Sequence, residues 1–490
     1  MIVASLLLAA CGSATSPAPQ SAPVPSAPLA SSSASPTSGP SVDSTAPPSL
    51  PHEASATLPV HASGRAIGER ILIAPGPGGT LFVSIPRTDG SVLAFLDRSG
   101  QPRPGWPIAI SNTTACDTLL PVDDGSVRVV CDATDLPPPE LHGVDARAHA
   151  FDAAGQPMAG WPIELLPELH IARVVGAVMT LLQRVLWGDV GQEGQPDGEL
   201  RIDTIAPDGD LETGTPTDWF GGCCQWEIGP DGRAYGIELV SGMAEGEAEV
   251  SEITALDLAG VPDGWPASFD GIASGPAFGP GGRIVLTVGS YVRRTSRVMA
   301  FDHDGRAVTS VELPIATGAL LEFGVDGPYD CGVPSPRPPL AARDGTIFVF
   351  SEVDVAIVAV DASLELMPGW PYRPPSPFAD RDEPTGGDLT CSSLALPAVG
   401  PDSTLYLPLQ ARSDSVGGSL VAIGPDGRLR PGWPVELRRP GSEFWSVTVG
   451  SDGTAYALAI EPEAGGASSA SILAIAPDST VRWTTTIVDP

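Results

Sequence analysis

Lysine is absent from this chain of 490 residues, so all 26 basic residues are arginines. Schiff-base chemistry, a P-loop lysine and a Ser-Lys dyad are therefore excluded. The 59 acidic residues leave a formal net charge of −33, and a surface of that sign repels phosphate backbones. We expect no nucleic-acid partner.

Long apolar runs are also missing, as are the common catalytic motifs. No run of about 18 apolar residues occurs, so a membrane-spanning helix is not expected. With six histidines and without HExxH, GxSxG or CxxC, the chain has no signature of a zincin, a hydrolase nucleophile elbow or a zinc ribbon. The sequence predicts no catalytic residue, no metal site and no cofactor.

The first residues predict that the chain is exported from the cytoplasm. Residues 2–10 are apolar and have the length of a signal-peptide core. Leu8-Ala9-Ala10-Cys11 resembles a bacterial lipobox, which implies that Cys11 is the lipid attachment site and the mature N-terminus. No positively charged region follows Met1, as expected if translation starts upstream. A buried N-terminal strand is the alternative interpretation.

Composition then divides the chain. From Gly12 to Leu58 it is almost entirely Ser, Pro, Ala and Thr, with Asp43 and Glu53 as its charged residues, and such a segment cannot bury enough apolar area to fold. We predict a signal peptide at 1–10, a disordered tether at 11–58 and a folded domain at 59–490. An extended tether of this length reaches on the order of 140 Å.

The folded domain is a repeat. Gly-Trp-Pro occurs five times, and two double-length gaps and the C-terminal end hold decayed copies, in one of which Val311 replaces Trp. This gives eight repeats of about 54 residues. The repeat tryptophans are Trp106, Trp161, Trp219, Trp265, Trp370, Trp433 and Trp483.

Each repeat reads as turn, strand, a strand ending in Ala-x-Asp, a Gly turn, and a Gly-Trp-Pro strand. The segment after Gly-Trp-Pro would supply the innermost strand of the next repeat, which makes four-stranded antiparallel blades. Such blades cannot cover their own faces, so we predict an all-β, eight-bladed β-propeller, with seven blades as the alternative. The recurring acidic residues are interpreted as turn-capping side chains: Asp97, Asp152, Asp257, Asp302 and Asp361.

The repeat resembles the pyrroloquinoline-quinone-like (quinoprotein-type) propeller family. In that family the repeat Trp docks between neighbouring blades, which implies the same role for the seven repeat tryptophans. Pro after Trp is also found in integrin-type FG-GAP propellers. Their Asp-x-Asp-x-Asp-Gly calcium loop is absent here, which places that reading second.

Six cysteines remain after Cys11, an even number that predicts three disulfides in an exported chain. Cys116 and Cys131 flank one predicted turn almost symmetrically, so they should meet across a hairpin. Cys331 and Cys391 should occupy equivalent sites on adjacent blades. The neighbours Cys223 and Cys224 could pair with each other or elsewhere.

Taken together, the sequence predicts a secreted, lipid-anchored, monomeric propeller that acts as a non-catalytic binding or assembly scaffold at the cell envelope. Its expected partner is an envelope protein or an extracellular glycan, and its membrane contact is the lipid alone. A polysaccharide-binding module is one alternative. A dehydrogenase dependent on quinone (PQQ) and calcium is the other, because a vicinal disulfide like Cys223–Cys224 also occurs in quinoprotein alcohol dehydrogenases. The loops before the innermost strands are the predicted contact sites, at Asp117, Trp219–Trp226 and Asp326–Ser335.

Overall fold

The chain is an eight-bladed β-propeller. Its computed structural model describes residues 56–59, 71–87, 90–133, 146–165, 169–186, 198–219, 225–241, 249–290, 295–315, 338–351, 356–375, 397–409, 416–463 and 468–488. These residues form eight β-sheets, one per blade, and their single helical segment is the 3-10 turn Pro280–Gly282. The predicted fold class is confirmed, and the seven-blade alternative is wrong.

The first four blades follow one another along the chain after a short strand β1 (Ala56–Pro59). Their strands are β2 (Leu72–Gly76), β3 (Thr80–Arg87), β4 (Gly90–Leu96) and β5 (Ile108–Ser111) in blade 1; β6 (Thr113–Pro121), β7 (Val127–Ala133), β8 (Ala146–Phe151) and β9 (Ile163–Leu165) in blade 2; β10 (Leu169–Val175), β11 (Val178–Leu186), β12 (Gly198–Ile205), β13 (Leu211–Thr213) and β14 (Thr217–Trp219) in blade 3; and β15 (Gln225–Ile228), β16 (Ala234–Ser241), β17 (Val250–Leu256) and β18 (Ala267–Asp270) in blade 4.

The last four blades repeat the pattern. Their strands are β19 (Ile272–Phe278), β20 (Ile284–Ser290), β21 (Thr295–Phe301) and β22 (Ala307–Glu312) in blade 5; β23 (Leu340–Ala341), β24 (Ile347–Ser351) and β25 (Ala356–Val360) in blade 6; β26 (Ala398–Val399), β27 (Leu405–Leu409), β28 (Ser419–Ile423) and β29 (Val435–Glu436) in blade 7; and β30 (Glu443–Val449), β31 (Ala455–Pro462), β32 (Ser468–Ile475) and β33 (Val481–Val488) in blade 8.

The first strand of each blade lies innermost, and successive strands pair antiparallel outward. Each innermost strand contacts the next around a closed circuit of β2, β6, β10, β15, β19, β23, β26, β30 and β2 again. Gly-Trp-Pro precedes the outermost strand, as Trp106 precedes β5, and the segment after that strand forms the innermost strand of the next blade. The predicted phase of the repeat is therefore confirmed.

Antiparallel order gives the ring two different faces. The turn between strands one and two (the inner turn) and the turn between strands three and four (the outer turn) lie at the same end of each blade, which we call the turn face. The connections between strands two and three, and from one blade to the next, lie at the opposite end, which we call the loop face. Innermost strands therefore run from the loop face to the turn face.

The apolar core is distributed between the blades. At the seam of blades 1 and 2, Phe82 and Phe95 of blade 1 pack with Val127 and Val129 of blade 2, and all four are fully buried. Trp106 closes the outer end of the same cluster. Because each sheet buries both faces, its strands read as nearly continuous apolar runs, such as Ile347–Ser351.

Three blades depart from four plain strands. In blade 3 the outer strand is split, since both β13 and β14 pair with β12. In blade 6 the fourth strand is reduced to a single bridge between Ile357 and Tyr372. Blade 8 gains a fifth strand, because β1 pairs in parallel with β33. Among the described residues, the strand Ala56–Pro59 spans the predicted boundary at 59.

Candidate functional site

Irregular innermost strands mark the central channel. Register shifts interrupt the ladder at Asp117 in β6, at His170 in β10, at Gly275-Pro276 in β19 and at Trp445 in β30. Each bulge shifts the register of the paired strands and redirects the local backbone, a feature that occurs often beside binding sites. His170 and Trp445 lie near the loop-face end of their strands, and Asp117 and Gly275-Pro276 lie at mid-strand, so the candidate site is the channel with its mouth on the loop face.

Asp117 is the best-defined side chain of this mouth. It is exposed on the innermost strand of blade 2, directly after Cys116. Cys116 pairs in register with Cys131 and forms a disulfide with it, and both cysteines are buried in the core between blades 1 and 2. The predicted Cys116–Cys131 bond is thus confirmed, and it fixes the strand on one side of the bulged carboxylate.

Further charge lies along the channel wall. Arg173 on β10 donates a hydrogen bond of 2.6 Å to the carbonyl oxygen of Ile228, and so joins the innermost strands of blades 3 and 4. Glu227 next to it is open to solvent, yet the channel wall removes part of its hydration and raises the pKa of its carboxyl, an effect that the Arg173 charge opposes. Burial also raises the pKa of Glu443 on β30.

The repeat tryptophans occupy the seams between blades. In four seams the indole N–H donates to a backbone carbonyl of the next blade's outer turn, and the acceptor is each time the second residue of that turn. The bonds are Trp106 to Ala153 at 3.3 Å, Trp161 to Pro207 at 3.2 Å, Trp370 to Pro425 at 3.0 Å and Trp433 to Pro477 at 3.0 Å.

Blades 4 and 5 reach the equivalent carbonyl with an arginine. Arg233 donates to the His303 oxygen at 3.2 Å, and Arg283 donates to the Ala362 oxygen. Trp265 is buried at its seam, but its indole nitrogen has no hydrogen-bond partner among the described residues. The carbonyl oxygen that accepts from the Trp indole in the other four seams accepts here from the Arg233 guanidinium.

The two remaining seams use other donors. Blade 3 uses backbone, since Thr215 N–H donates to the Leu258 oxygen at 2.8 Å. Trp219 is the last residue of β14, and its side chain is not among the described parts of the structure. At the seam that closes the ring, Trp483 is buried against Gly100 of blade 1, and the Thr485 hydroxyl donates to the Gly100 oxygen at 3.1 Å.

The recurring aspartates cap their own turns, as predicted. Asp97 accepts from the backbone N–H groups of Ser99 at 2.8 Å and Gln101 at 3.1 Å, and the Ser99 hydroxyl and these N–H groups hold the pKa of the Asp97 carboxyl below its usual value. Asp152, Asp302 and Asp361 accept from the same two positions of their turns, and Asp257 from the nearer one. The carboxylates of these five aspartates therefore serve to cap the outer turns.

Several predicted residues lie outside the described part of the chain. They are Cys11, Cys223, Cys224, Cys331, Cys391 and the segment Asp326–Ser335. Among the described residues, no three His, Cys, Asp or Glu side chains are grouped as a metal ion would need. No helix in the described ranges is long and apolar enough to cross a membrane.

Comparison with known proteins yields likenesses of fold. No family model and no curated protein matches the chain. Among solved structures, a streptogramin B lyase shares 13% identity over 71% of this chain and 92% of that one, with a TM-score of 0.38. Dipeptidyl peptidase 4 from Porphyromonas gingivalis shares 10% identity over 85% of this chain and 59% of that one, with a TM-score of 0.49. A quinoprotein alcohol dehydrogenase-like protein from Bacteroides thetaiotaomicron shares 13% identity over 73% of this chain and 82% of that one, with a TM-score of 0.36.

Proposed function

We propose that this chain is an exported propeller, anchored through a lipid on Cys11, that works as a non-catalytic binding module for an envelope protein. The observation that carries the proposal is the difference between the two faces. The turn face is built of short capped turns whose polar groups serve the fold. The loop face holds the redirected innermost strands and the connections that vary between repeats.

Connection lengths make this difference concrete. Only Asn112 separates β5 from β6, and only Gly271 separates β18 from β19, whereas residues 313–339 separate β22 from β23. Inner turns stay short in all eight blades. Variation of that kind at one end of a rigid scaffold is the usual arrangement of a binding surface.

The proposed contact centres on Asp117, because it is exposed, lies at a bulge and is held in place by the adjacent disulfide. A carboxylate there, on a chain of net charge −33, favours a partner that presents basic groups. The propeller then supplies a rigid surface, and the predicted tether allows that surface to reach partners at a distance from the membrane.

Site-specific photo-crosslinking in native membranes tests this function. A photoreactive side chain at position 117 should give one reproducible protein adduct, and the same group at exposed Asp210 on the turn face should give none. D117R in the tagged chain should lose copurification of that protein, and D210R should keep it. Equal labelling from both faces would overturn the proposal.

Two further results would redirect it. Retention of the full-length chain on isolated cell-wall glycan, with no protein adduct, would favour the polysaccharide-binding alternative. Reduction of a redox dye by the chain supplied with PQQ, calcium and an alcohol would overturn the non-catalytic assignment. Mass spectrometry of the N-terminal peptide tests lipidation of Cys11 separately, since an unmodified cysteine would remove the anchor and leave the binding face intact.

A further inference from the structure

The outermost strand of blade 5 differs from those of most other blades. In blades 1, 2, 4 and 7 the outermost strand has two to four residues and directly follows a Trp-Pro pair. Blade 6 keeps a single bridge, and blade 3 has two pieces of three residues. In blade 5, β22 runs for six residues without proline and without a basic side chain. Short strands, prolines and basic residues are the usual features that prevent a sheet edge from pairing with another chain, and β22 has none of them.

Strand β33 of blade 8 is the other long outer strand, and it shows what such an edge accepts. Both strands carry one bulge residue near their start, Val308 in β22 and Arg482 in β33, and then pair without interruption with the third strand of their blade. The outer edge of β33 carries the added strand β1. Within the described ranges, no strand pairs with the outer edge of β22. The two edges are therefore of one kind, one of them filled and the other open.

The open edge of β22 presents backbone groups of known direction. Leu313 N–H donates to the Ser296 oxygen of the third strand at 2.8 Å. Because the direction of bonding alternates along an antiparallel strand, the N–H and C=O groups of Ser310 and Glu312 point outward. Val308 is 51% exposed, which offers an apolar contact to a chain that lies along this edge.

Charge distinguishes between possible occupants of the edge. Glu312 is exposed, and Arg297, its in-register partner on β21, donates to the Asp270 backbone oxygen. Arg306, just before β22, pairs with Asp304 at 3.7 Å. Among the described residues Glu312 has no ion-pair partner. A second copy of this chain would bring a further net charge of −33, which disfavours self-association. The edge suits a partner strand with a basic side chain beside Glu312.

We propose that β22 is an acceptor edge for an extended segment of a partner protein. The segment pairs with the outward backbone groups of Ser310 and Glu312 and adds a fifth strand to blade 5, as β1 does to blade 8. Backbone pairing supplies the affinity, and the Glu312 carboxylate selects for a basic side chain. This edge lies at the rim of the propeller and Asp117 lies on an innermost strand, so the inference holds whether or not Asp117 binds a partner.

Peptide binding to the full chain tests the acceptor edge. The probe is a fluorescein-labelled peptide of six alternating threonine and valine residues with an arginine at each end, titrated by fluorescence anisotropy. We expect saturable binding, with slower amide exchange at Ser310 and Glu312. S310P removes an outward N–H and leaves the bonds between β21 and β22 in place, so it should weaken binding about tenfold. S310A keeps the N–H and should bind like the unmodified chain.

A charge variant provides a second test that needs no change of backbone. E312R should weaken binding of the same peptide about fivefold, and it keeps the test decisive if S310P does not fold. D117R, on the innermost strand of blade 2, should leave the affinity unchanged.

Four results would contradict the acceptor edge. They are no binding at about 1 mM peptide, binding unaffected by both S310P and E312R, loss of binding in D117R, and equal binding of a peptide whose two central residues are proline. A dimer of the unmodified chain that S310P dissociates would assign the edge to a second copy, and the partner segment proposed for it would be wrong.

Discussion

At the scale of single residues, one repeat position explains a buried arginine. The inner turn of these blades ends at a residue with positive φ, and the position of interest is the third residue after it. In five blades this residue is aromatic and packs on the Trp of the same blade, with ring centroids 5.4 to 5.9 Å apart. These five residues are Phe82, Tyr235, Phe348, Tyr406 and Tyr456. In blade 2 the position holds Arg128, which is 2% exposed. Its guanidinium carbon lies 5.4 Å from the centroid of the Trp161 ring. A cation–π contact replaces an aromatic pair.

This equivalence predicts how Arg128 variants behave. R128F should restore the aromatic pair and remove the desolvated charge, and so gain about 1 kcal/mol in free energy of unfolding. R128A should lose about 3 kcal/mol, since it empties a packed site. Urea unfolding of both variants at neutral pH measures the difference. An R128F chain that is less stable than R128A would show that the charge itself, through its bond to Ser126 at 3.1 Å, holds the site.

His149 predicts an acid-sensitive step. Burial, aided by the Arg147 charge, lowers the pKa of His149 to about 4, and its Nε2 has no hydrogen-bond partner in the described structure. The unfolded chain binds this proton near pH 6.5 and the folded chain does not, so stability is complete above pH 6.5 and falls as the pH drops toward 4.

The H149F variant tests that step. Between pH 7 and pH 5 the unmodified chain should lose about 2 kcal/mol of unfolding free energy through this residue, and H149F, which keeps a ring stacked on Phe151, should lose that much less. Urea midpoints at the two pH values decide the matter. Parallel pH profiles for both chains would mean that His149 does not titrate in this window.

At the scale of elements, the seams share one acceptor and use several donors. The second residue of the outer turn accepts from an indole in four seams, from a guanidinium in two and from a backbone N–H in one. The acceptor is constant because the turn fixes its backbone. The donor varies because any N–H that reaches the carbonyl satisfies it.

Arg283 offers the clearest test of this interchange, because Val311 stands where its blade would carry the Trp. R283M should lower the free energy of unfolding by about 1 kcal/mol, as expected for one hydrogen bond. R306M is the matched control, since Arg306 is largely exposed and pairs with Asp304 within its own turn. Thermal unfolding of the two variants provides the comparison. Equal losses would show that the guanidinium bond to Ala362 does not secure the seam.

The sequence predicted what the repeat determines and missed what single substitutions decide. Regular spacing of Gly-Trp-Pro and Asp-Gly turns was enough for eight blades, strand order and the Cys116–Cys131 bond. The bulge at Asp117 could not be located, because a register shift depends on both paired strands. The roles of Arg233 and Arg283 were also missed. These arginines follow the inner turns, so their positions in the repeat do not indicate that they replace the hydrogen bond of a Trp near the outermost strand.

The segment Ala56–Pro59 illustrates a second limit. Four residues at the end of a Ser- and Pro-rich stretch carry no alternating pattern, so composition assigns most of them to the tether. They form a strand because β33 offers an open edge, a partner more than 400 residues away along the chain. Pairing of this kind is a tertiary effect that local propensity does not encode.

At the scale of the whole molecule, charge should limit stability. The formal net charge of −33 and a sequence pI near 4.3 imply mutual repulsion at neutral pH. Raising NaCl from about 10 to 300 mM at pH 7 should therefore raise the Tm by about 5 °C. The same series close to pH 4.3 is the control and should show little change. A Tm that falls with salt at pH 7 would mean that attractive ion pairs outweigh the repulsion.

The building of each blade from contiguous residues makes the propeller suitable for circular permutation. New chain ends placed at Gly271, the single residue between β18 and β19, would leave all eight sheets uncut. Joining Val488 to Ile71 would replace the old ends at the seam of blades 8 and 1. In such a permuted chain β1 would have no natural place. Of the described elements, it is the one that ties the cyclic order of blades to a particular pair of ends.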